Sequence, residues 1–383
     1  MKPASPAGRL LAELVDQPGS RWRVPTPALL VDLAALERNI ARMQSRAAAS
    51  GLALRPHAKT HKSALVARMQ IEAGAVGVCC TKLGEAEALA EAGVRNLLLT
   101  SPVVGVDSAH RAAALARRDP GFAVVLDHPS QADALAAACE AGGVVLKVLI
   151  DVDVGLHRTG VGTPADALAL AACVRDTPSL RLMGVQGYGG AWQHIKGLSA
   201  RSDAVSTGMQ RLKTVVEALR AAGHPIDLVS GGGTGTFATD ASLKVLTEVQ
   251  PGSYVFMDAE YREALGDDPD GEFEQSLMVQ ARVVHAKEAT HFTIDAGLKA
   301  FATDGPLPLP LGPCFAGSQY FYYGDEHGGI TRSAANGAIA LGDHVELMPP
   351  HCDPTVDRYD AMVLVRGDVV VGTALLEAAR CSQ

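Results

Sequence analysis

The sequence predicts an α/β protein: a (β/α)8 barrel over residues 25–268, then a mainly β domain over 269–383 to which residues 1–24 are assigned. Two observations carry this reading. From "TPALLVDL" (26–33) onward, short apolar runs alternate with Ala-rich stretches of helical period, the pattern of parallel strands with helices outside. After about residue 270 the texture changes to strands separated by Gly, Asp and Pro turns with little helix between them.

The barrel strands are read, in order, as "ALLVDL", "LALRPHA", "VGVCCT", "NLLLTS", "FAVVLDH", "VLKVLIDVD", "LRLMGVQGY", "IDLVSGG" and "SYVFMD". Between them lie helices such as "AALERNIARMQSRAAAS", "GEAEALAEAG", "PSQADALAAACEAGG" and "TPADALALAACVRD". Several open on Ser, Thr or Pro and close on Gly, as capped helices do. The number of such units favours a closed barrel over an open doubly wound sheet. In the second domain the strands are "SLMVQARVVHA", "HFTIDAGL", "QYFYYGD", "AIALGDHVELMP" and "AMVLVRGDVVVG".

Composition narrows the function classes. Hydrophobic content of 48% with 20% charged residues is that of a globular chain, which argues against disorder. A net charge of −8 without a clustered basic run argues against nucleic acid as a partner. The seven cysteines are odd in number and lack a CxxC pair, which reads as reduced thiols and a cytoplasmic protein. No apolar leader opens the chain and no run is long enough to span a membrane, so no membrane partner is expected.

Titratable chemistry concentrates in "RPHAKTHK" (55–62). Read with a strand's period of two, Arg55, His57, Lys59 and His61 share one face and Leu52, Leu54 and Pro56 the other. Lys59 then points into the barrel mouth near a strand end, where barrels place reactive groups, while Lys62 falls on the opposite parity as a solvated lysine. An inward lysine among cationic neighbours is expected to have a depressed pKa, which suits Schiff-base chemistry. The bland reading makes all five residues surface charges. "DLVSGGGTGT" (227–236) runs an apolar strand into a Gly-rich turn whose amides could approach an anion, or which is merely flexible. In "LMPPHCDPT" (347–355) an extended segment would put His351 and Asp353 on one face and turn Cys352 away. Imidazole plus carboxylate suits Mn²⁺ or Mg²⁺, whereas a His/Cys pair would suit Zn²⁺.

"TPALLVDL", "RPHAKTHK", "GVCCTKLGEAE", "DVDVGLHRTGV", "GVQGYGGAWQH", "SGGGTGT", "QPGSYVFMDAEY", "DAGLKA", "DEHG" and "HCDPT" follow one another in this order. Together they resemble the D-threonine aldolases, pyridoxal-phosphate (PLP) enzymes of the alanine-racemase-like fold, which 3-hydroxyaspartate aldolases and D-serine dehydratases share. The resemblance implies that Lys59 bonds covalently to PLP. It assigns Gly233, Thr234, Gly252 and Ser253 to the phosphate, Arg158 to the phenolic oxygen, and Tyr188 and Tyr261 to the cofactor's surroundings. Thr81 stands where related enzymes often carry Gln, so a direct contact from it is in doubt.

The resemblance further implies a divalent metal (Mn²⁺ or Mg²⁺) on His351 and Asp353, and His194 as general base at the substrate's β-hydroxyl. Asp325, Glu326 and His327 are expected near the substrate, and the assembly is expected to be a head-to-tail homodimer. The implied activity is retro-aldol cleavage of a D-β-hydroxy-α-amino acid, D-threonine giving glycine and acetaldehyde. The rivals are a 3-hydroxyaspartate aldolase and a D-serine or hydroxyaspartate dehydratase. A racemase would need an opposing tyrosine base and no metal pair. A PLP-homeostasis barrel would lack the β domain.

Overall fold

The computed structural model describes residues 11–266 and 268–383. Among the described residues seventeen strands follow in chain order: β1 Ala28–Asp32, β2 Ala53–Leu54, β3 Val78–Cys80, β4 Leu97–Leu99, β5 Ala123–Leu126, β6 Leu146–Asp151, β7 Leu180–Gly187, β8 Leu228–Gly231, β9 Glu248–Val249, β10 Leu277–His285, β11 His291–Ile294, β12 Leu309–Pro310, β13 Tyr320–Tyr322, β14 Gly328–Thr331, β15 His344–Met348, β16 Ala361–Arg366 and β17 Val369–Leu375. The chain divides into two compact units. One comprises Ile40–Gly252, Ala264–Glu272 and Arg380–Gln383; the other comprises the described residues up to Asn39, Ser253–Glu263 and Phe273–Ala379.

In the first unit eight parallel strands run in the order β2-β9-β8-β7-β6-β5-β4-β3. A parallel bridge between His57 and Cys79 joins the two ends of that order, so the sheet closes on itself. The strands are short, Val/Leu/Ile-rich and mostly buried on both faces, because helices cover the outside and side chains fill the inside. Cys79, Leu98, Ala123, Val125 and Leu149 pack together in that interior, with Met183 and Leu228 against them.

The second unit is a mixed sheet in the order β13-β14-β11-β10-β1-β16-β17, with β15 pairing β10 and β12. Every pairing is antiparallel except β1 with β16. Leu14, Leu30, Met278, Val363, Val365 and Val370 form its core.

Two expected barrel strands are not in the barrel. "ALLVDL" is β1, at the middle of the second unit's sheet between β10 and β16. Its first four residues are buried, and an apolar run of that kind suits a central strand of either sheet. "SYVFMD" turns into a 3-10 helix, Ser253–Val255, and Met257 has φ +56. The last strand of the ring is instead the two-residue β9, too short to show a period. Among the described residues no helix is long and apolar enough to cross a membrane.

Candidate active site

Strand β2 is short, and the extended backbone after it ends at His57. From there the chain turns: the amides of His61 and Lys62 both donate to Ala58 O, at 3.2 and 2.7 Å. The period-two reading of the whole stretch therefore fails. Lys59 lines a cavity of about 240 Å³ at the C-terminal ends of the barrel strands, with His57, Thr81, Thr100, Arg158 and Tyr188. The turn carries Lys59 there, not strand alternation.

Three neighbours of Lys59 in sequence play other parts than expected. Arg55 points to the opposite end of the barrel, where Nε donates to Glu248 (3.0 Å) and Nη1 to Asn96 O (2.6 Å). His61 is buried, with Nε2 against Gln70 and Nδ1 accepting the Ser63 amide. Lys62 is not solvated: its Nζ lies 3.4 Å from the buried Glu85 carboxylate, which also accepts the amides of Thr81 and Lys82.

His57 does stay beside the cavity, but as a neutral ring. Its Nδ1 accepts the Lys59 amide at 3.3 Å, so the proton sits on Nε2 and is donated to Thr100 Oγ1 at 3.1 Å. Thr100 in turn donates to Cys80 O at 3.0 Å. The expected cationic shell of Arg55 and His57 around the lysine is absent. The cation that shares the cavity is Arg158, and no carboxylate is found among the described residues lining it. Thr81 reaches the cavity too, with Oγ1 3.5 Å from His57 Nε2.

Arg158 sits at the tip of a tight loop after β6, its guanidinium 5.9 Å from the centre of the Tyr188 ring. Tyr188 follows the end of β7. Two glutamines that sequence reasoning missed, Gln186 and Gln250, also line the cavity. Gln186 donates to Asp151 (3.0 Å) and Thr100 O (3.2 Å), and Gln250 donates to Gln186 (3.2 Å) and Ser230 (2.8 Å). Gln186 lies two residues before Tyr188 in "GVQGY", on the same strand face, which is the one signal that could have found it.

The Gly-rich turn follows β8. The Gly233 amide donates to Thr236 Oγ1 (3.2 Å) and the Gly235 amide to Gln193 Oε1 (2.9 Å), so these two donors hold the turn's own shape. Thr234 is buried at the start of the 3-10 helix Thr234–Thr236. A Cβ on Gly252 would meet Thr60 Oγ1 at 2.6 Å, so glycine is needed there for close packing with the lysine turn. His194 closes the 3-10 helix Gly190–His194 after β7 and is not among the described residues lining the cavity.

The second unit holds Ser253, Tyr261, His351 and Asp353. Ser253 opens a 3-10 helix and is buried; Tyr261 is buried in the helix Ala259–Leu265, its amide capped by Asp258 at 2.8 Å. The segment 351–355 is not extended throughout. His351 has β geometry, but Cys352–Val356 is a short helix with Asp353 in its first turn, because the buried Asp258 carboxylate accepts the Cys352 amide at 2.7 Å. His351 Nδ1 lies 2.9 Å from Asp304 and 3.8 Å from Glu260. Burial alone would lower its pKa, but Asp353 and Asp304 outweigh it and the imidazole is raised. Burial pushes the Cys352 thiol well above its ordinary value, so it stays protonated. Among the described residues no group of three or more His, Cys, Asp or Glu is arranged to hold a metal ion. In "DEHG", Glu326 is exposed and pairs with Lys299.

Residues 31–260 match the family model for the alanine racemase N-terminal domain, and 276–365 that for a putative serine dehydratase domain. A D-threonine aldolase from Arthrobacter sp. is 37% identical over 355 residues, covering 92% of this chain and 93% of its own. The chain belongs to the D-threonine aldolase family. A 3-hydroxy-D-aspartate aldolase from Paracoccus denitrificans (strain Pd 1222) is similar to it at 36% identity, covering 91% of this chain and 90% of its own. The crystal structure of a D-threonine aldolase from Filomicrobium marinum superposes with a TM-score of 0.90 at 35% identity, covering 94% of this chain and 97% of its own. Membership of the D-threonine aldolase family supports a lyase that uses PLP. The cavity fits that group chemically: an amine and a guanidinium on its lining, beside a tyrosine ring, suit an anionic aromatic aldehyde.

Proposed function

We propose that this chain cleaves the Cα–Cβ bond of D-β-hydroxy-α-amino acids with PLP and a divalent metal, D-threonine giving glycine and acetaldehyde. The observation that carries the reading is Lys59 in a strand-end cavity whose lining offers two cations and, among the described residues, no carboxylate. Lys59 Nζ would hold the cofactor covalently. Arg158 would donate to its phenolic oxygen, and Tyr188 would flank its ring. Gly233, Thr234, Gly252 and Ser253 would serve its phosphate, with Thr81 and Tyr261 as further neighbours. When bound, PLP supplies the electron sink for the electron pair left at Cα as the Cα–Cβ bond breaks. His194 would take the β-hydroxyl proton as general base. Protonation at Cα then gives glycine.

The proposed ligands, the His351 imidazole and the Asp353 carboxylate, are of the types that suit Mn²⁺ or Mg²⁺, with water completing the shell. His351 turns Nδ1 to Asp304, so Nε2 would be the ligand nitrogen, beside Asp353. A bound metal would supply Lewis-acid polarisation of the β-hydroxyl. Aspartate at 353, with the Cys352 side chain buried, favours the aldolase over a thiolate-zinc dehydratase.

The 36% match to a 3-hydroxy-D-aspartate aldolase favours a second reading, cleavage to glycine and glyoxylate by the same steps. We place the protein in the cytoplasm, where thiols such as Cys79, Cys80 and Cys139 stay reduced, and propose a head-to-tail homodimer. The test is incubation of PLP-loaded protein with D-threonine or D-3-hydroxyaspartate, with and without EDTA. Glycine with the matching aldehyde, lost on chelation, supports the aldolase and identifies the better substrate. Keto acid with ammonia would overturn it.

A further inference from the structure

Arg158 owes its position to its loop. Among the described residues its guanidinium makes no hydrogen bond and faces the Tyr188 ring, so its donors are presented to the cavity. The loop is closed at its base, where Val152 and Val161 bridge and the Val161 amide donates to Asp151 O at 2.9 Å. Three carboxylates then pin the residues on either side of the arginine. Asp153 accepts the amides of Gly155 and His157 at 2.8 and 2.9 Å. Asp127 accepts the Gly160 amide at 2.8 Å. Asp151 accepts the Thr159 hydroxyl at 2.7 Å on one oxygen and the Gln186 amide at 3.0 Å on the other.

Asp153 and Asp127 hold backbone, as any tight loop requires. The Asp151 contact is different: it is a buried carboxylate gripping the side chain next to the arginine, and it connects that grip to Gln186 on the cavity wall. We infer that Asp151, acting through Thr159, is the positioning residue that sets the Arg158 guanidinium for the ligand's ring oxygen. The inference rests on the proposed cofactor reading. Burying this carboxylate is costly; burial pushes it up to about 6 against the pull of Thr159 and Gln186, with Asp127 raising it further and Arg158 lowering it. A simple loop staple could be a neutral side chain. An anion fixes the hydroxyl as a donor toward it, and so fixes the orientation of Thr159.

The experiment is a PLP titration of the apoprotein, followed by the absorbance of the bound cofactor, for wild type, T159V, T159S, R158A and R158A/T159V. T159V is expected to weaken PLP binding about tenfold and T159S to restore it to within about twofold. R158A should lose at least as much as T159V, and the double variant should be no weaker than R158A alone, because Thr159 acts through Arg158. Effects of R158A and T159V that multiply, or T159V binding like wild type, would overturn the inference. If T159V does not fold, D151N replaces it in the same cycle, with the same non-additivity expected. Wild type that binds no PLP at all would instead refute the cofactor reading on which this stands.

Discussion

Replacing Lys62 with methionine tests the division of labour between the two lysines of "AKTHK". The Lys62 Nζ to Glu85 Oε1 distance is 3.4 Å, with the two side chains 12% and 6% exposed. At an effective dielectric near 20, that separation corresponds to about 5 kcal/mol of attraction. Removing one partner of a buried pair costs about 3–5 kcal/mol, since the other charge remains buried. Glu85 keeps the amides of Thr81 and Lys82 at 2.9 and 3.1 Å, which places Lys62→Met at the low end, about 3 kcal/mol. Urea denaturation followed by far-ultraviolet circular dichroism at neutral pH should show a lower midpoint with an unchanged slope. The double variant Lys62→Met/Glu85→Gln should recover part of the loss, because no charge is then stranded. A Lys62→Met change within about 0.5 kcal/mol of wild type would mean that the pair behaves as a solvated surface contact, and the reasoning would fail.

Lys59→Ala should keep the wild-type urea midpoint but abolish the visible absorbance of bound PLP; a band that persists would place the reactive amine elsewhere. Asp151 titrates higher when folded than when unfolded, so its contribution to stability is lost as pH rises from about 4 to about 6, by about 3 kcal/mol in total. Urea midpoints of wild type and Asp151→Asn across that range should therefore diverge, and parallel profiles would refute the assignment. Gly184 has φ +159, and a Cβ there would meet Leu228 O at 1.9 Å beside the register shift in β6–β7. Gly184→Ala should cost about 2–4 kcal/mol in the same denaturation assay, with a wild-type midpoint as the contrary result. His351→Ala should abolish binding of Mn²⁺ measured by electron paramagnetic resonance, and retained stoichiometric binding would remove the metal from this residue.

Much of the barrel was legible because its strands alternate with Ala-rich capped helices at regular spacing. Strands β3 to β8 each coincide with an apolar run that reads as a strand. The ends of the barrel were not legible. β1 carries the same apolar signal as a barrel strand, and only its partners β10 and β16, distant in sequence, decide its sheet. β9 has two residues and no pattern at all. Lys59, Arg158 and Tyr188, which line the cavity, lie where glycines and polar residues interrupt apolar runs, and the family resemblance singled them out. Gln186 and Gln250 were missed because a buried amide carries no charge to mark it, and only Gln186 has a period-two neighbour, Tyr188, to point to it. The helix starting at Cys352 was missed because its cause, the Asp258 carboxylate under the Cys352 amide, lies far back in the chain.

The charge in "RPHAKTHK" is sorted by the structure rather than pooled. Arg55 is neutralised by Glu248 at the far end of the barrel, and Lys62 by Glu85 behind the turn. His57 is held neutral by the Lys59 amide itself. Each basic group that could have repelled Lys59 is paired, turned away or uncharged, and the cation left facing the cavity beside it is Arg158. Two cations in a polar strand-end cavity, on a chain whose net charge is −8, make that mouth a local attractor for anions against the protein's overall field. On the proposed reading, the phosphate and phenolic oxygen of PLP are the anionic groups that such a mouth would favour. Reversing the contrast at one point, by Arg158→Glu, should therefore weaken PLP binding more than Arg158→Ala does, and the excess should shrink with added salt. Equal losses for the two variants at low salt would show that the arginine acts by shape alone.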